Sequence, residues 1–217
     1  MSAAGQRQRD DASGTPDELL DLAERIFAKR GVENVALTQI VAASTQRNRS
    51  AMHYHFGSRE GVLSALLDRR LAPINARREA LLDALPARSD IIAITRATVA
   101  ALGQTVVEEP WGRDYISVLA QVRFRPQLLG ERALEDEHLT GVRRTRRLMA
   151  EAARPLRAAV VTERLRWFTD AVVFAMARWA RETPPGPKAA AAMDALIERL
   201  AAFGAAGVAA ALPVSTE

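Results

Sequence analysis

The residues with the greatest capacity for chemistry fall in one short run, Ser44 to Arg59. The run holds Arg47, Arg49 and Arg59 and no Asp or Glu, a local charge of +3 interleaved with Asn48, Ser50, His53, Tyr54 and His55. Guanidinium, amide, hydroxyl and imidazole groups at that density suit phosphate oxygens and the edges of nucleic-acid bases. The plain alternative is a solvated pair of helices, and composition alone leaves the two readings level.

Catalytic readings find less support. The chain has no Cys, so it can hold no disulfide, thiolate metal site or cysteine nucleophile, and an intracellular setting is the economical expectation. Of three His, His53 and His55 stand two apart and point away from each other on a helix, so they cannot chelate one metal. Glu135 to His138 contains Glu-x-x-His, half of a helical di-iron motif, but no second copy exists to complete it. Glycine-rich phosphate loops, nucleophile elbows and zinc spacings are absent. No cofactor, metal or catalytic residue is expected.

The elements that position the basic run can be read around it. Thr38 can cap a short helix with Ile40, Val41 and Ala43 on its apolar face, and the polar residues Ser44 to Arg47 then form a turn. A second helix, capped by Asn48 and running to about His55, buries Ala51, Met52 and Phe56. Upstream, Thr15-Pro16-Asp17-Glu18 has the form of a capping box with Pro in the first turn, and Gly31 is a stop. Leu19, Leu22, Ala23, Ile26 and Phe27 repeat at helical spacing between them. Downstream, Ser58 can cap a further helix with Val62, Leu63, Leu66, Leu67 and Leu71 as its stripe and Pro73 as a kink. This helix links the two halves of the chain and is the natural route for a distant signal.

The run Ser50-Ala51-Met52-His53-Tyr54-His55-Phe56-Gly57-Ser58-Arg59-Glu60, preceded by Thr38-Gln39-Ile40, resembles the DNA-binding signature of the tetracycline-repressor (TetR) family. The resemblance covers Pro16 to Leu67. It implies that Asn48 to His55 is a recognition helix, that Thr38 caps the preceding helix beside a phosphate, and that Arg59 holds a phosphate. Thr38, Gln39, Arg47, Asn48, Arg49, Ser50, His53, Tyr54, His55 and Arg59 are the expected DNA-binding residues. Two departures stand out: Gln46-Arg47 replaces the usual Gly-Val of the turn, and His53 replaces the usual Tyr.

With 217 residues, 48% hydrophobic and only 5% aromatic, the chain is long enough for a sizeable core and rich in helix formers. The net charge of +4 proves little, since Met1 to Glu60 balances eight basic against eight acidic residues. Local segregation matters more. The start reads as a polar tail without a secretion signal, in which Arg7 and Arg9 could reach a minor groove but are more simply solvated. The Ala-rich 188–212 tract is interrupted by Asp194, Glu198 and Arg199 and is not expected to cross a membrane.

After Pro86, periodic segments run over 90–107, 111–124, 131–153, 160–181 and 188–212, separated by Pro-containing breaks. Trp111, Tyr115, Leu119, Phe124 and Trp167 are the large side chains of the middle segments. Core burial explains their spacing, yet a hydrophobic or aromatic effector between segments 111–124 and 160–181 would also give the Tyr115 hydroxyl a setting. In the last two segments Phe168, Val172 and Met176 form one stripe, while Trp167, Ala171 and Phe174 form another. Leu196, Leu200, Phe203, Gly204 and Gly207 make a broad face with small residues. An intramolecular core is the plain reading; the resemblance implies a four-helix homodimer interface instead. Gly141 to Arg166 holds eight Arg against two Glu, most simply a solvated face but able to meet an acidic ligand at a pocket mouth.

The expected architecture is all-α: a tail at 1–14, a helix-turn-helix DNA-binding domain at 15–57, a linking helix region at 58–86, and an effector-binding and dimerisation domain at 87–217. The expected function is a cytoplasmic, ligand-responsive regulator, a repressor that binds an inverted-repeat operator in double-stranded DNA as a homodimer and is released by a small-molecule effector. The competing readings are a regulator without an effector, and a helical enzyme or carrier with an N-terminal interaction module.

Overall fold

The computed structural model describes residues 16–44, 54–130 and 139–211. Among them lie eight α-helices, two short 3-10 turns and the helical residues 54–56, with no strand. The helices are α1 (Pro16–Arg30), α2 (Leu37–Ala43), α3 (Arg59–Asp83), α4 (Ile91–Glu108), α5 (Gly112–Phe124), α6 (Thr140–Ala152), α7 (Ala158–Glu182) and α8 (Ala189–Ala209).

Local chemistry sets the ends. Pro16 opens α1 with Asp17 and Glu18 in its first turn, where carboxylates favour the positive end of the helix dipole. Gly31 closes it at φ +86°, a backbone region that side chains avoid, with its N–H donating to Phe27 O. The cap of α2 differs from the one expected. Thr38 lies inside the first turn, and Ala36 precedes the helix in extended conformation with its N–H donating to Gln39 Oε1 at 2.9 Å. Only this return half of a capping box forms, because Ala36 has no side-chain acceptor. Ser58 does cap α3, its Oγ accepting from Gly61 N–H at 3.1 Å. The exposed Pro73 interrupts α3 without ending it.

The C-terminal helices follow the Pro-containing breaks, with Asp90 capping α4 through the Ala93 N–H at 2.8 Å. The segment expected to begin at Glu131 is described as α6 only from Thr140. By length and composition α4 could cross a membrane, but it packs against α3, α5, α6, α7 and α8 at the centre of the bundle. Gly112 starts α5 tightly against the end of α4, where a Cβ would lie 2.1 Å from Thr105 O.

The two stripes of α7 have different fates. Phe168, Val172 and Met176 turn inward and are at most 7% exposed. Met176 and Ile197 meet over Gly103, and a Cβ on Gly204 would fall 2.3 Å from the Phe168 ring. The small residues of α8 therefore admit side chains of α7 from the same chain. Outward lie Trp167 at 57% and Phe174 at 39% exposed.

Candidate functional site

The N-terminal helical unit expected to meet DNA, the head, is built on α1. Leu19, Leu20, Ala23 and Phe27 bury its inner face together with Val32, Val35, Ile40 and Val41, and burying a side chain such as Phe27 contributes about 1.5 to 3 kcal/mol. On this support Thr38, Gln39, Tyr54 and His55 are exposed. Tyr54 is 86% exposed and stacks edge-on with His55 at 5.2 Å between ring centroids, so these rings serve no core. Arg59 donates to Glu33 O at 3.3 Å and pairs with Glu60 at 3.4 Å. Glu60 is itself held below the usual carboxylate range by its backbone hydrogen bond, then by Ser58 and by the Arg59 charge. Arg47, Asn48, Arg49, Ser50 and His53 lie outside the described residues.

Two groups that sequence reasoning passed over join this head to the rest of the chain. Gln121 on α5 accepts from Val32 N–H at 2.7 Å and donates to Phe27 O at 3.3 Å, bridging the end of α1 and the following 3-10 turn. Glu24, 1% exposed, accepts from Arg70 Nε on α3 at 2.9 Å, and Arg70 also pairs with Asp21. Burial raises the Glu24 carboxyl above its ordinary value despite the opposing Arg70 hydrogen bond and charge. Its signal was a carboxylate on the apolar stripe of α1, between Ala23 and Phe27.

That cluster accounts for two of the expected effector residues. Trp111 lies under the Arg70 guanidinium, 4.4 Å from ring centroid to Cζ, and meets Tyr115 edge-on at 5.8 Å. Tyr115 is buried, and burial pushes its phenol far above the usual range against the pull of the Arg78 charge. Phe124 is 71% exposed and stacks edge-on with Phe174 at 6.4 Å. Leu119 is half-buried against the core.

A cavity of about 630 Å³ instead opens one layer away, between α3, α4, α5, α6 and α7. None of Trp111, Tyr115, Leu119, Phe124 and Trp167 lines it, whereas Phe168 and Val172, expected between protomers, do. The displacement has a simple cause. The aromatic side chains pack on α1 and α3 or point outward, while the inward stripe of α7 stops short of filling the space beside α6. Val99, Leu102, Met149 and Leu165 complete an apolar wall. Arg123 on α5 lines it too, with its Nε donating to Asp170 Oδ1 at 2.7 Å.

Arg78 on α3 is the unusual member of this wall. It is 8% exposed, and burial lowers its affinity for its proton, although a guanidinium stays charged. Its position on the helix carried a signal. Leu71, Ile74, Asn75, Arg78 and Leu82 follow helical spacing, so Arg78 falls on the buried stripe and Arg77 outside it, paired with Glu108.

Of the other expected interface residues, Leu200 and Gly204 are buried, Leu196 is half-buried, and Phe203 and Gly207 are exposed. Among the described residues no group of His, Cys, Asp or Glu has the arrangement of a metal site.

Two family models match the chain. The model of bacterial regulatory proteins of the tetR family covers residues 19–66, and the tetracyclin repressor-like C-terminal domain covers residues 96–207. No curated protein matches in sequence. Among solved structures, the fatty acid degradation regulator FadR from Bacillus halodurans superposes with a TM-score of 0.62 at 12% identity, over 88% of this chain and 95% of that one. The ketosteroid transcriptional regulator KstR2 of Mycobacterium tuberculosis gives 0.56 at 17% identity, over 90% and 95%. The TetR family transcriptional regulator PfmR from Thermus thermophilus gives 0.50 at 17%, over 94% and 100%. At such identities the likeness concerns the fold, which agrees with the family models: an exposed polar and aromatic head on a short helical unit, carried by a helical domain. With one model on the head and another spanning more than half of the chain, the protein belongs to the tetR family of bacterial regulatory proteins, DNA-binding transcriptional regulators and not enzymes.

Proposed function

We propose that the protein is a ligand-responsive repressor, acting in the cytoplasm as a homodimer whose two heads bind an inverted-repeat operator. The observation that carries the ligand reading is the cavity of about 630 Å³, inside the range of roughly 300 to 1,000 Å³ typical of small-molecule sites. Two of its walls continue to the head. α3 contributes Arg78 to the cavity and begins at Ser58 and Arg59 beside the head; α5 contributes Arg123 and reaches the end of α1 through Gln121. An occupant that favours one setting of these helices changes the spacing of the heads, by no more than its differential affinity for the two settings. The structural neighbours named for fatty acid and ketosteroid regulation accord with an apolar effector.

The dimer reading now rests on other residues than the inward stripe of α7. Trp167 and Phe174 share the outward face of that helix, and Phe203 and Gly207 are exposed on α8. Isolated exposed apolar residues are ordinary, but large aromatics on two neighbouring helices suit a self-complementary contact.

Selection of binding sites from random duplexes, followed by release with compounds that raise the melting temperature, tests the whole reading. The expected result is an inverted repeat whose half-sites lie about one helical turn apart, or a multiple of it, released by at least one stabilising compound. Ala159→Trp, which fills the cavity mouth, should bind the same duplex and ignore the compound. If stabilising compounds never release DNA, the regulator without an effector replaces this account.

A further inference from the structure

The cavity wall carries a buried cation, Arg78, that forms no ion pair among the described residues, the charge of Glu79 acting on it from a distance. Arg78 Nη1 donates to Asn75 Oδ1, a neutral acceptor, while Nε has no partner, and the side chain makes no other hydrogen bond or ion pair among the described residues. The nearby carboxylates are committed elsewhere: Glu79 and Asp83 pair with Arg144 of α6, and Asp170 with Arg123. A buried charge that forms no ion pair is costly, and a structure tolerates it where something else supplies the opposite charge. Four Arg and one Glu line the cavity, so its field favours an anion. Arg146, Arg166 and Glu163 belong to its exposed rim, whereas Arg78 alone combines charge with burial.

We infer that the cavity takes an organic anion, a carboxylate on an apolar body, with the carboxylate on Arg78 and the body along Val99, Leu102, Met149, Phe168 and Val172. This rests on the ligand reading above and adds the chemical class. A guanidinium gives a carboxylate a charge-assisted N–H donor, and in this setting the attraction is little screened. The apolar body lies along the apolar part of the wall, so charge and shape both contribute to binding.

Calorimetric titration at neutral pH with decanoate and 2-naphthoate, against 1-decanol and 2-naphthol, separates charge from shape. At least one acid should bind ten or more times tighter than its alcohol. Arg78→Met, which keeps the bulk without the charge, should remove that preference while the alcohol binds as before, and Arg78→Lys should retain part of it. Should Arg78→Met fail to fold, the acid-to-alcohol ratio of the unaltered protein and of Arg78→Lys decides. Equal binding of acid and alcohol, undiminished acid binding by Arg78→Met, or no binding by either acid would overturn the inference. Tight binding of alcohols alone that Ala159→Trp abolishes would leave the cavity as an effector site and remove only the anion. Loss of operator release with every compound would remove the effector reading itself.

Discussion

Glu24 and Arg59 show two ways in which a charged residue of the head acts. Glu24 is buried with a carboxyl raised above 4.5, its ordinary value, so the folded state holds this proton to higher pH than the unfolded chain does. Its contribution to stability is full below that ordinary value and is lost as pH rises through the raised folded one. Compared with Glu24→Gln, the unaltered protein should gain stability as pH falls through this window; urea unfolding of both at several pH values checks it, and a constant difference would refute the assignment. For Arg59, one-third exposed, the proposed role is a contact with phosphate charge. Arg59→Ala should weaken specific and scrambled duplexes alike and reduce the salt slope by about 0.9, the share of a single neutralised phosphate. Anisotropy titrations at several salt concentrations measure both effects, and a selective loss on one sequence would reassign Arg59 to base reading. Arg49→Ala should do the reverse, losing discrimination by roughly 1 to 3 kcal/mol if its contact with guanine is bidentate.

At the scale of elements, most helix ends were legible, the cap of α2 excepted, and so were the buried faces of α1 and α3; which neighbour each face of α7 meets was not. Pro16, Gly31, Ser58, Asp90 and the Pro-containing breaks stand at or within a few residues of ends in the structure, because capping and the missing amide of Pro are local chemistry. α7 carries apolar residues on two sides, and periodicity states that both are apolar without stating which neighbour each one meets. Its inward stripe found Gly204 of the same chain, so Phe168 became cavity wall and Trp167 became surface. The same limit hid Arg78, whose buried position follows from spacing while its missing counter-ion follows only from the fold around it. Gly204→Ala tests this packing. Better helix propensity favours Ala by about 1 kcal/mol, but the rigid Phe168 ring must shift, and overpacking costs about 1 to 3 kcal/mol. The expected net result is a lower melting temperature together with weaker binding of cavity compounds. An unchanged affinity would place the ligand away from Phe168.

For the whole molecule, the proposed dimer requires its two heads to act together, and the exposed aromatic residues of α7 and α8 are its proposed interface. Phe174→Glu with Phe203→Glu should give a folded monomer by light scattering, since both side chains are exposed and their loss spares the core. The monomer should lose operator affinity steeply, because each half-site is then bound alone; a dimer that persists would move the interface elsewhere. The central claim is that operator and cavity ligand compete through one conformational equilibrium. Coupling of this kind is reciprocal: if a ligand weakens operator binding by some factor, operator weakens ligand binding by the same factor, typically about 5- to 150-fold. The most direct test is the dissociation constant of a stabilising compound measured on the dimer alone and on the dimer saturated with its selected operator. The account predicts weaker binding to the DNA complex, by the factor seen in operator release; equal dissociation constants in the two states would contradict it.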